Sequence, residues 1–248
     1  MRIATWNLQW AAPGSARHAR ALDQLVGLDA DIIVTTEDSV HDWAPYPHRL
    51  DAGSDWGYPI REGRRKVIAW SRTPWIDRAE LRASATRGRF VQGATKVGGS
   101  LVQILAVCIP WQNAHVRTGR RDRSMWGEHL EFCEALKPAV AEAATAGVTI
   151  VAGDFNQRIP RFGQPRVVAE ALEDALRPLE IPTSGEHPVG RLIDHIAVGR
   201  DVVVRDVTAW PNIIDGHRIS DHRGVAVSLD TGLAGTHPGN RSHGIATR

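Results

Sequence analysis

Short apolar runs of four to six residues alternate with longer stretches of helical periodicity along most of this chain. The runs at residues 32–36 and 148–152 are rich in β-branched side chains and have the length of buried strands. Strand-like runs that alternate with helical stretches are typical of α/β proteins. The pattern of apolar and polar positions therefore predicts an α/β fold.

The helical stretches are defined by apolar residues that recur every three or four positions. Three segments show this spacing most clearly: residues 16–28, 125–146 and 167–176. The second of them contains Pro138. Because proline has no backbone N–H and its ring clashes with the preceding turn, we expect Pro138 to break or kink this helix.

Polar side chains stand where the predicted strands end or begin. Each group alone is compatible with an ordinary turn or cap. Several such groups in one chain predict instead that polar side chains gather at one end of a sheet. The groups are Asn7, Glu37 with Asp38, Asp154 with Asn156, Asp194 with His195, and Asp221 with His222.

The segment Gly153-Asp154-Phe155-Asn156 directly follows one of the buried runs. In an extended chain Asp154 and Asn156 point to the same side, one as an anionic ligand or base and the other as a neutral donor and acceptor. This pairing suits a metal-bound phosphate, although a strand-terminating turn explains the same residues. Carboxylates and amides without cysteine ligands match Mg²⁺ or Mn²⁺ better than zinc.

Taken in order, these motifs resemble the endonuclease/exonuclease/phosphatase superfamily, which includes exonuclease III-type repair nucleases, deoxyribonuclease I, sphingomyelinases and inositol polyphosphate 5-phosphatases. The resemblance spans residues 1–229. It implies a deoxyribonuclease I-like fold, a four-layer sandwich of two mixed β-sheets flanked by helices, with the site at one end. The matching segments are Thr5-Trp6-Asn7, Glu37, Gly153-Asp154-Phe155-Asn156, Ile193-Asp194-His195-Ile196 and Ser220-Asp221-His222.

The resemblance also implies a metal site. Glu37 would be the principal ligand of Mg²⁺ or Mn²⁺, and Asn7 would assist it. Asp221 would hold the same cation or a second one, so that a one-metal and a two-metal mechanism both remain open. Gln9 stands where some nucleases carry a carboxylate, which favours a single dominant metal site.

The catalytic groups implied by the resemblance form a second set. Asp154 would orient or deprotonate the attacking water, and Asn156 would donate to a non-bridging phosphate oxygen. His222, oriented by Asp194, would bind the scissile phosphate. A carboxylate that accepts from one imidazole nitrogen fixes the tautomer and raises the basicity of the ring. His195 is expected to be structural.

One position departs from the family pattern. Cys108 stands where related enzymes carry a tyrosine or a histidine at the end of a strand. A thiol is a weaker hydrogen-bond donor, so assistance to the leaving group would come from elsewhere. Asn113 and His115, just beyond this strand, are the nearest candidates for a substrate contact.

Length and composition indicate how the chain is organised into domains. The 248 residues, 42% apolar and 23% charged, fit one soluble globular domain over residues 1–229, followed by a flexible tail over residues 230–248. We expect a cytoplasmic protein with reduced cysteines, because the chain shows no leader, no membrane-spanning run and only two cysteines. No protein partner is inferable from the sequence.

The substrate is the least determined property. A net charge of +2 is modest, but a local arginine cluster that includes Arg121 would grip a nucleic-acid backbone if it lies beside the site. Solvated surface is the commoner meaning of such clusters. A nuclease is therefore the first hypothesis, with endonucleolytic and exonucleolytic cleavage both open. A phosphoesterase for a small metabolite or lipid headgroup and a non-catalytic nucleic-acid or phosphate-binding homologue are the alternatives. Tryptophans that would stack on bases occur in loop-like regions, at Trp10, Trp43, Trp56 and Trp111.

Overall fold

Two β-sheets lie face to face between outer helices in the computed structural model, which describes residues 1–230. The predicted four-layer α/β sandwich is confirmed. The helices are α1 (Ala16–Gly27), α2 (Gly127–Ala146) and α3 (Arg166–Ala175). The strands are β1 (Arg2–Asn7), β2 (Ile32–Ser39), β3 (His48–Asp51), β4 (Arg64–Ser71), β5 (Trp75–Ala79), β6 (Phe90–Val97), β7 (Ser100–Cys108), β8 (Val148–Asp154), β9 (Leu179–Glu180), β10 (Asp194–Gly199), β11 (Val203–Trp210), β12 (Ile213–Ile214), β13 (His217–Arg218) and β14 (Gly224–Asp230).

Each large sheet has six strands. The first has the order β11-β14-β1-β2-β4-β3 and the second has the order β5-β6-β7-β8-β10-β9. Both are mixed, because β1 pairs with β2 and β7 pairs with β8 in parallel, whereas the other neighbours are antiparallel. β12 and β13 form a separate two-stranded ribbon.

Strand alternation sorts the apolar side chains into layers. Ile3 on β1 packs between the two sheets, whereas the next residue, Ala4, belongs to the cluster that also holds Leu25 of α1. On β8, Ile150 faces the first sheet and Val151 packs with residues of α2 and α3. Strands buried on both faces explain why the sequence shows continuous apolar runs.

The helix bounds agree with the prediction to within two residues at each end. Ser15 caps α1, because its side chain accepts a hydrogen bond from the backbone N–H of His18 (3.2 Å). The expected break at Pro138 is wrong, since α2 runs continuously from residue 127 to residue 146. Pro138 and Glu134, whose carbonyl loses its helical partner, both lie on the exposed side of the helix, where water can satisfy that carbonyl.

The remaining expectations concern the chain as a whole. No helix within residues 1–230 has the length and apolar character needed to cross a bilayer. Cys108 and Cys133 are buried free thiols. Asp230 is the last residue of β14, and the rest of the predicted tail, residues 231–248, lies outside the described residues. The cytoplasmic location stays a prediction.

Two buried histidines fasten the segment that follows β8. His129 donates from Nδ1 to the Pro110 carbonyl (2.7 Å) and accepts at Nε2 from the Gln157 side chain (2.7 Å). His195 donates from Nε2 to the Gln157 carbonyl (3.1 Å) and accepts at Nδ1 from the Thr183 hydroxyl (3.1 Å). Both imidazoles are neutral, because burial lowers the pKa of each to about 4. The structural role expected for His195 agrees with these contacts.

These histidines predict a loss of stability in acid. Their folded-state pKa of about 4 lies below the unfolded value of about 6.5, so the unfolded chain binds more protons between these limits. Their contribution is complete above pH 6.5 and falls with pH by up to about 1.4 kcal/mol per pH unit for each histidine. Unfolding measured by calorimetry from pH 8 to pH 4 should show a smaller acid slope for His129→Gln than for the wild type. Equal slopes would contradict this assignment.

Candidate active site

Four strand termini meet at one end of the sandwich and bring polar side chains from both sheets together. β1 and β2 run parallel, so Asn7 and Glu37 stand at the same edge of the first sheet. In the second sheet the antiparallel register places Asp194 directly opposite Asp154. Asn7 joins the two sheets, because its Nδ2 donates to Asp154 Oδ2 (3.1 Å) and its backbone N–H donates to Asp194 Oδ2 (3.2 Å).

Close contact between β7 and β8 explains the glycine before Asp154. A Cβ atom on Gly153 would lie 1.8 Å from the carbonyl oxygen of Val107, and the φ angle of Gly153 is +142°. Only glycine fits this approach without displacing β7. The Gly-Asp sequence therefore reflects strand packing at the site and not only the chemistry of a turn.

Asp154 is a buried carboxyl group surrounded by donors. It is 2% exposed, Oδ1 accepts from the backbone N–H of Asn156 (2.8 Å), and Oδ2 accepts from the Asn156 side chain (2.9 Å) as well as from Asn7. Burial raises the pKa of Asp154 to about 7; His222 opposes this rise, and the negative charges of Asp194 and Glu37 add to it. A carboxyl group poised near neutral pH has the property required of a general base.

Asn156 holds the Asp154 carboxyl group in place through hydrogen bonds to both of its oxygens. Its Nδ2 donates both to Asp154 and to the Ile109 carbonyl (2.8 Å), and its backbone adopts a left-handed φ of +53°. Both amide hydrogens are therefore engaged by protein acceptors. Asn156 can donate to a phosphate oxygen only when it releases one of them.

His222 and Asp194 form the pair expected from the sequence, although 28 residues separate them. Nδ1 of His222 lies 3.3 and 3.2 Å from the two oxygens of the buried Asp194 carboxylate. Burial alone would lower the pKa of His222, but Asp194, supported by Asp154 and Asp221, raises it to about 10. The imidazole is therefore a cation at neutral pH.

The backbone around His222 is fastened to β1. The Ser220 hydroxyl donates to the Asn7 carbonyl (2.6 Å) and accepts from the backbone N–H of His222 (3.0 Å). The indole N–H of Trp6 donates to the His222 carbonyl (2.9 Å). The Thr-Trp-Asn and Ser-Asp-His motifs are thus parts of one hydrogen-bonded unit.

Glu37 stands at a strained point of β2, with a φ angle of +49°. Its Oε1 accepts from Lys66 Nζ on β4 at 2.5 Å, and the Lys66 ammonium also lies over the Trp10 ring at 5.3 Å. Left-handed backbone in a non-glycine residue is uncommon and concentrates at functional sites. The carboxylate is therefore directed by both the backbone and a lysine.

The donor chemistry at this end of the sandwich fits a hard divalent cation. Glu37, Asp194 and Asp221 contribute negative charge, and Asp154 adds to it when ionised, whereas Lys66 and His222 are the cationic groups beside these carboxylates. The Asp221 side chain is 43% exposed and lies 3.8 Å from His222 Nε2. An excess of carboxylate oxygens over cationic groups is the environment that Mg²⁺ or Mn²⁺ neutralises.

Cys108 lies at the strand end where the sequence departs from the family pattern. It ends β7, its register partner is Asp154, and its side chain is buried between the sheets. Burial raises the pKa of this thiol to about 12. A neutral, buried thiol does not assist a leaving group, so the structure supplies no phosphate donor at this position.

Two of the three residues expected to contact substrate lie in a buried ionic cluster instead. His115 Nδ1 is 2.6 Å from Glu128 Oε2, and its ring stacks on Tyr58 at 4.2 Å. Arg121 lies 3.2 Å from Glu128 Oε1 and donates to the Trp56 carbonyl. These contacts engage both side chains in holding the loop between β7 and α2. Asn113 is half-buried in the same loop, where its carbonyl accepts from the N–H of Val116 (3.1 Å).

Two open cavities lie at this polar end of the sandwich, and the exposed Trp111 lines both. The first has a volume of about 410 Å³ and includes Lys66, the partner of Glu37; the second, of about 390 Å³, includes Asn156. Their aromatic and basic lining residues are Trp10, Trp56, Tyr58, Arg61, Arg64 and Arg89 in the first, and Trp126, Arg158 and Phe162 in the second.

The tryptophans that the sequence predicts as stacking residues lie in different environments. Trp10 and Trp56 stack on each other at 5.5 Å in the first cavity, with the Arg64 guanidinium 4.7 Å from the Trp10 ring. Trp43 is buried against Tyr46, away from both cavities.

Lys66 is the contact that sequence reasoning missed. The antiparallel register of β2 and β4 places Thr36 opposite Val67 and Asp38 opposite Arg65. Position 37 therefore falls opposite position 66. Predicting this pairing from the two apolar runs would have identified Lys66 as a neighbour of Glu37.

Comparison with known proteins agrees with this geometry. The sequence profile of the Endonuclease/Exonuclease/phosphatase family matches residues 4–222, whereas no curated protein matches the chain. Similar folds include the 3'-5' exonuclease NExo from Neisseria meningitidis, with 19% identity, a TM-score of 0.67 and coverage of 93% of this chain and 100% of that one. An AP endonuclease from Archaeoglobus fulgidus has 16% identity, a TM-score of 0.67 and coverage of 93% and 99%. The chain therefore belongs to the endonuclease/exonuclease/phosphatase family.

Proposed function

We propose that this protein is a divalent-metal-dependent phosphodiester hydrolase that acts on nucleic acid. The observation that carries the proposal is the hydrogen-bonded network in which Asn7 links the buried Asp154 carboxyl group to the Asp194–His222 pair. It supplies a base near neutral pH and a cation beside it. Structural neighbours described as a 3'-5' exonuclease, an AP endonuclease and a 3' phosphatase bound to a product DNA hairpin support this class of reaction.

The cation in this proposal is Mg²⁺ or Mn²⁺. The Glu37 carboxylate, the Asn7 amide oxygen and the Asp221 carboxylate would hold it, because all three offer the oxygen donors that these ions prefer. When bound, such a cation withdraws charge from a phosphate oxygen and stabilises the negative charge that develops during hydrolysis.

Asp154 is the proposed base. Water attacks phosphorus and forms a new P–O bond while the ester P–O bond breaks. Asp154 accepts the proton that the water loses, and the departing oxygen takes a proton from solvent water. Hydrogen bonds from Asn7 and the Asn156 backbone hold the carboxyl group in place. Because its pKa is about 7, a large fraction of Asp154 is ionised at neutral pH, and the ionised form still binds a proton readily.

His222 is the proposed phosphate ligand. Asp194 engages its Nδ1 side, so the protonated Nε2–H is left to donate to a non-bridging oxygen. Charge on that oxygen grows as the attacking water adds to phosphorus. A fixed cation inside a buried site therefore stabilises the transition state more than the ground state.

The two open cavities favour nucleic acid as the substrate. Arginines supply contacts for a phosphate backbone, and the exposed ring of Trp111 supplies a stacking surface for a base. Trp111, which is 46% exposed, lines both cavities. This arrangement suits a strand with unpaired bases that crosses the site, whereas a small phosphorylated metabolite would use only one cavity.

The first test replaces the proposed base. Asp154→Asn should reduce turnover of labelled DNA or RNA by about 10²–10⁴-fold while binding is largely retained, because the amide cannot accept the proton. Cleavage is measured with Mg²⁺ or Mn²⁺ on single- and double-stranded DNA, RNA and bis-p-nitrophenyl phosphate, with EDTA as a blank. The exposed Asp23→Asn is the matched control. Near-wild-type turnover by Asp154→Asn would refute the assignment, and silence of the wild type on every substrate would favour a non-catalytic homologue.

The second test asks whether Asp194 acts through His222. His222→Ala should lower kcat at saturating Mg²⁺ by about 10²-fold or more, because a fixed cation is lost beside the phosphate. Asp194→Asn in the His222→Ala background should cost much less than Asp194→Asn alone, since coupled residues are not additive. Steady-state kinetics of the four proteins measures this cycle. Fully additive losses would show that the two residues act independently.

The third test concerns the substrate. Binding of a single-stranded oligonucleotide should weaken steeply as salt rises, because contacts with several phosphates release counterions. Trp111→Ala should weaken that binding by about 5- to 100-fold, the range of one lost stacking contact, and leave hydrolysis of bis-p-nitrophenyl phosphate unchanged. The exposed Ile213→Ala, on the β12–β13 ribbon, is the control. Insensitivity to both salt and Trp111→Ala would point to a small phosphorylated substrate.

A further inference from the structure

A group of side chains that could hold a metal ion lies apart from the Asp154–Asp194–His222 network. His18 on α1, Asp38 near the end of β2 and His41 just beyond it place one ligand atom each within 4.8 Å of the others. His18 Nε2 is 3.7 Å from Asp38 Oδ1, and the two imidazole rings are perpendicular with centroids 4.7 Å apart. Two segments of the chain, α1 and the end of β2 with the residues just beyond it, therefore converge on one point.

One nitrogen of each imidazole in this group is free to act as a ligand. Nε2 of His18 and Nε2 of His41 are both buried, and neither has a hydrogen-bond partner among residues 1–230. The side chain of His18 is itself about 95% buried. A buried polar atom without a partner costs about 1–3 kcal/mol, so two of them on neighbouring rings require an explanation.

The tautomer of His41 is set for metal binding. Its Nδ1–H donates to the backbone carbonyl of Ser39 at 2.8 Å, which leaves the lone pair on Nε2. A histidine that binds a metal through one nitrogen usually donates from the other to a carbonyl or carboxylate. His41 already makes this supporting contact.

Asp38 is also held by supporting hydrogen bonds. It is fully buried, Oδ2 accepts from the Thr35 hydroxyl (2.7 Å) and Oδ1 accepts from the Ser39 N–H (2.6 Å). Thr35 in turn accepts from the Trp70 indole (2.9 Å). Each carboxylate oxygen keeps a lone pair, so the group can bind a cation without losing these supports.

The strained backbone at Glu37 brings Asp38 to this group. Residues three apart on a regular strand point to opposite faces, yet Asp38 bonds the side chain of Thr35. The left-handed φ of +49° at the intervening Glu37 breaks the alternation. One backbone distortion therefore directs Glu37 toward Lys66 and Asp38 toward His18.

We propose that His18, Asp38 and His41 form a transition-metal site of the zinc class, separate from the catalytic cation. Two imidazoles and one carboxylate match Zn²⁺ and other late first-row divalent ions, whereas Mg²⁺ selects all-oxygen sites. His41 also lines an outer cavity of about 500 Å³ next to Trp43 and Trp70, which gives an ion and a water ligand a route to the site. The bound ion ties α1 and the segment after β2 to the strand that carries Glu37.

The test is metal binding by the intact chain, with the catalytic cation site saturated by Mg²⁺. Metal-stripped protein is titrated with Co²⁺, whose visible absorption strengthens in a low-coordinate imidazole site. Bound Zn²⁺ is measured by elemental analysis after gel filtration. We expect one ion per chain and a higher Tm in the presence of Zn²⁺, because a ligand that binds only the folded state stabilises it.

The variants are chosen to separate the two sites. His18→Ala and His41→Ala should each weaken Co²⁺ binding at least tenfold and abolish the Zn²⁺-dependent rise in Tm. His217→Ala, an exposed histidine on β13, and Asp154→Asn, which lowers turnover, should both bind Co²⁺ as tightly as the wild type and keep the Zn²⁺-dependent rise in Tm. His18→Ala is checked for folding by circular dichroism. If it does not fold, His41→Ala and Asp38→Asn test the site instead, because His41 is half-buried on a loop and asparagine preserves the side-chain volume of Asp38. Unchanged binding in the folded variants would overturn the proposal, as would its loss in Asp154→Asn.

Discussion

The buried carboxylate of Asp194 is the constraint on which the arrangement of the site depends. It accepts from His222 and from the backbone N–H of Asn7, and its register partner across the second sheet is Asp154. A buried anion is costly unless donors and cations surround it, so its partners are confined to a narrow set of positions. The two sheets are therefore joined at the end where the chemistry is proposed.

Burial acts in opposite directions on the two groups that would handle protons and charge. Asp154, desolvated and close to other carboxylates, has its pKa raised to about 7. His222 is desolvated as well, but the surrounding carboxylates raise its pKa to about 10. Neighbouring groups with displaced pKa values are a hallmark of acid and base chemistry in active sites. Here the surrounding carboxylates raise both pKa values, which leaves the carboxyl group close to neutrality and the imidazole a cation.

Backbone strain concentrates where the strands deliver their polar side chains. Glu37 and Asn156 adopt left-handed φ angles, and Gly153 tolerates a contact with β7 that no other residue would. Such conformations persist only when surrounding packing holds them, and here the two sheets supply that packing. The same distortion at Glu37 places Asp38 beside His18, so the catalytic site and the proposed second metal site share one structural origin.

The sequence by itself determined the α/β class, the three helices to within two residues at each end, and the polar groups at the strand ends, including Asp154 and His222. These features follow from periodicity and from neighbours along the chain, which a sequence displays directly. Only the tertiary structure decided that Asn7 bridges the sheets, that Lys66 meets Glu37, and that His115 is buried against Glu128. It also decided the pKa values of the site. Pairing register and desolvation are properties of packed surfaces that lie far apart along the chain, and no local pattern records them.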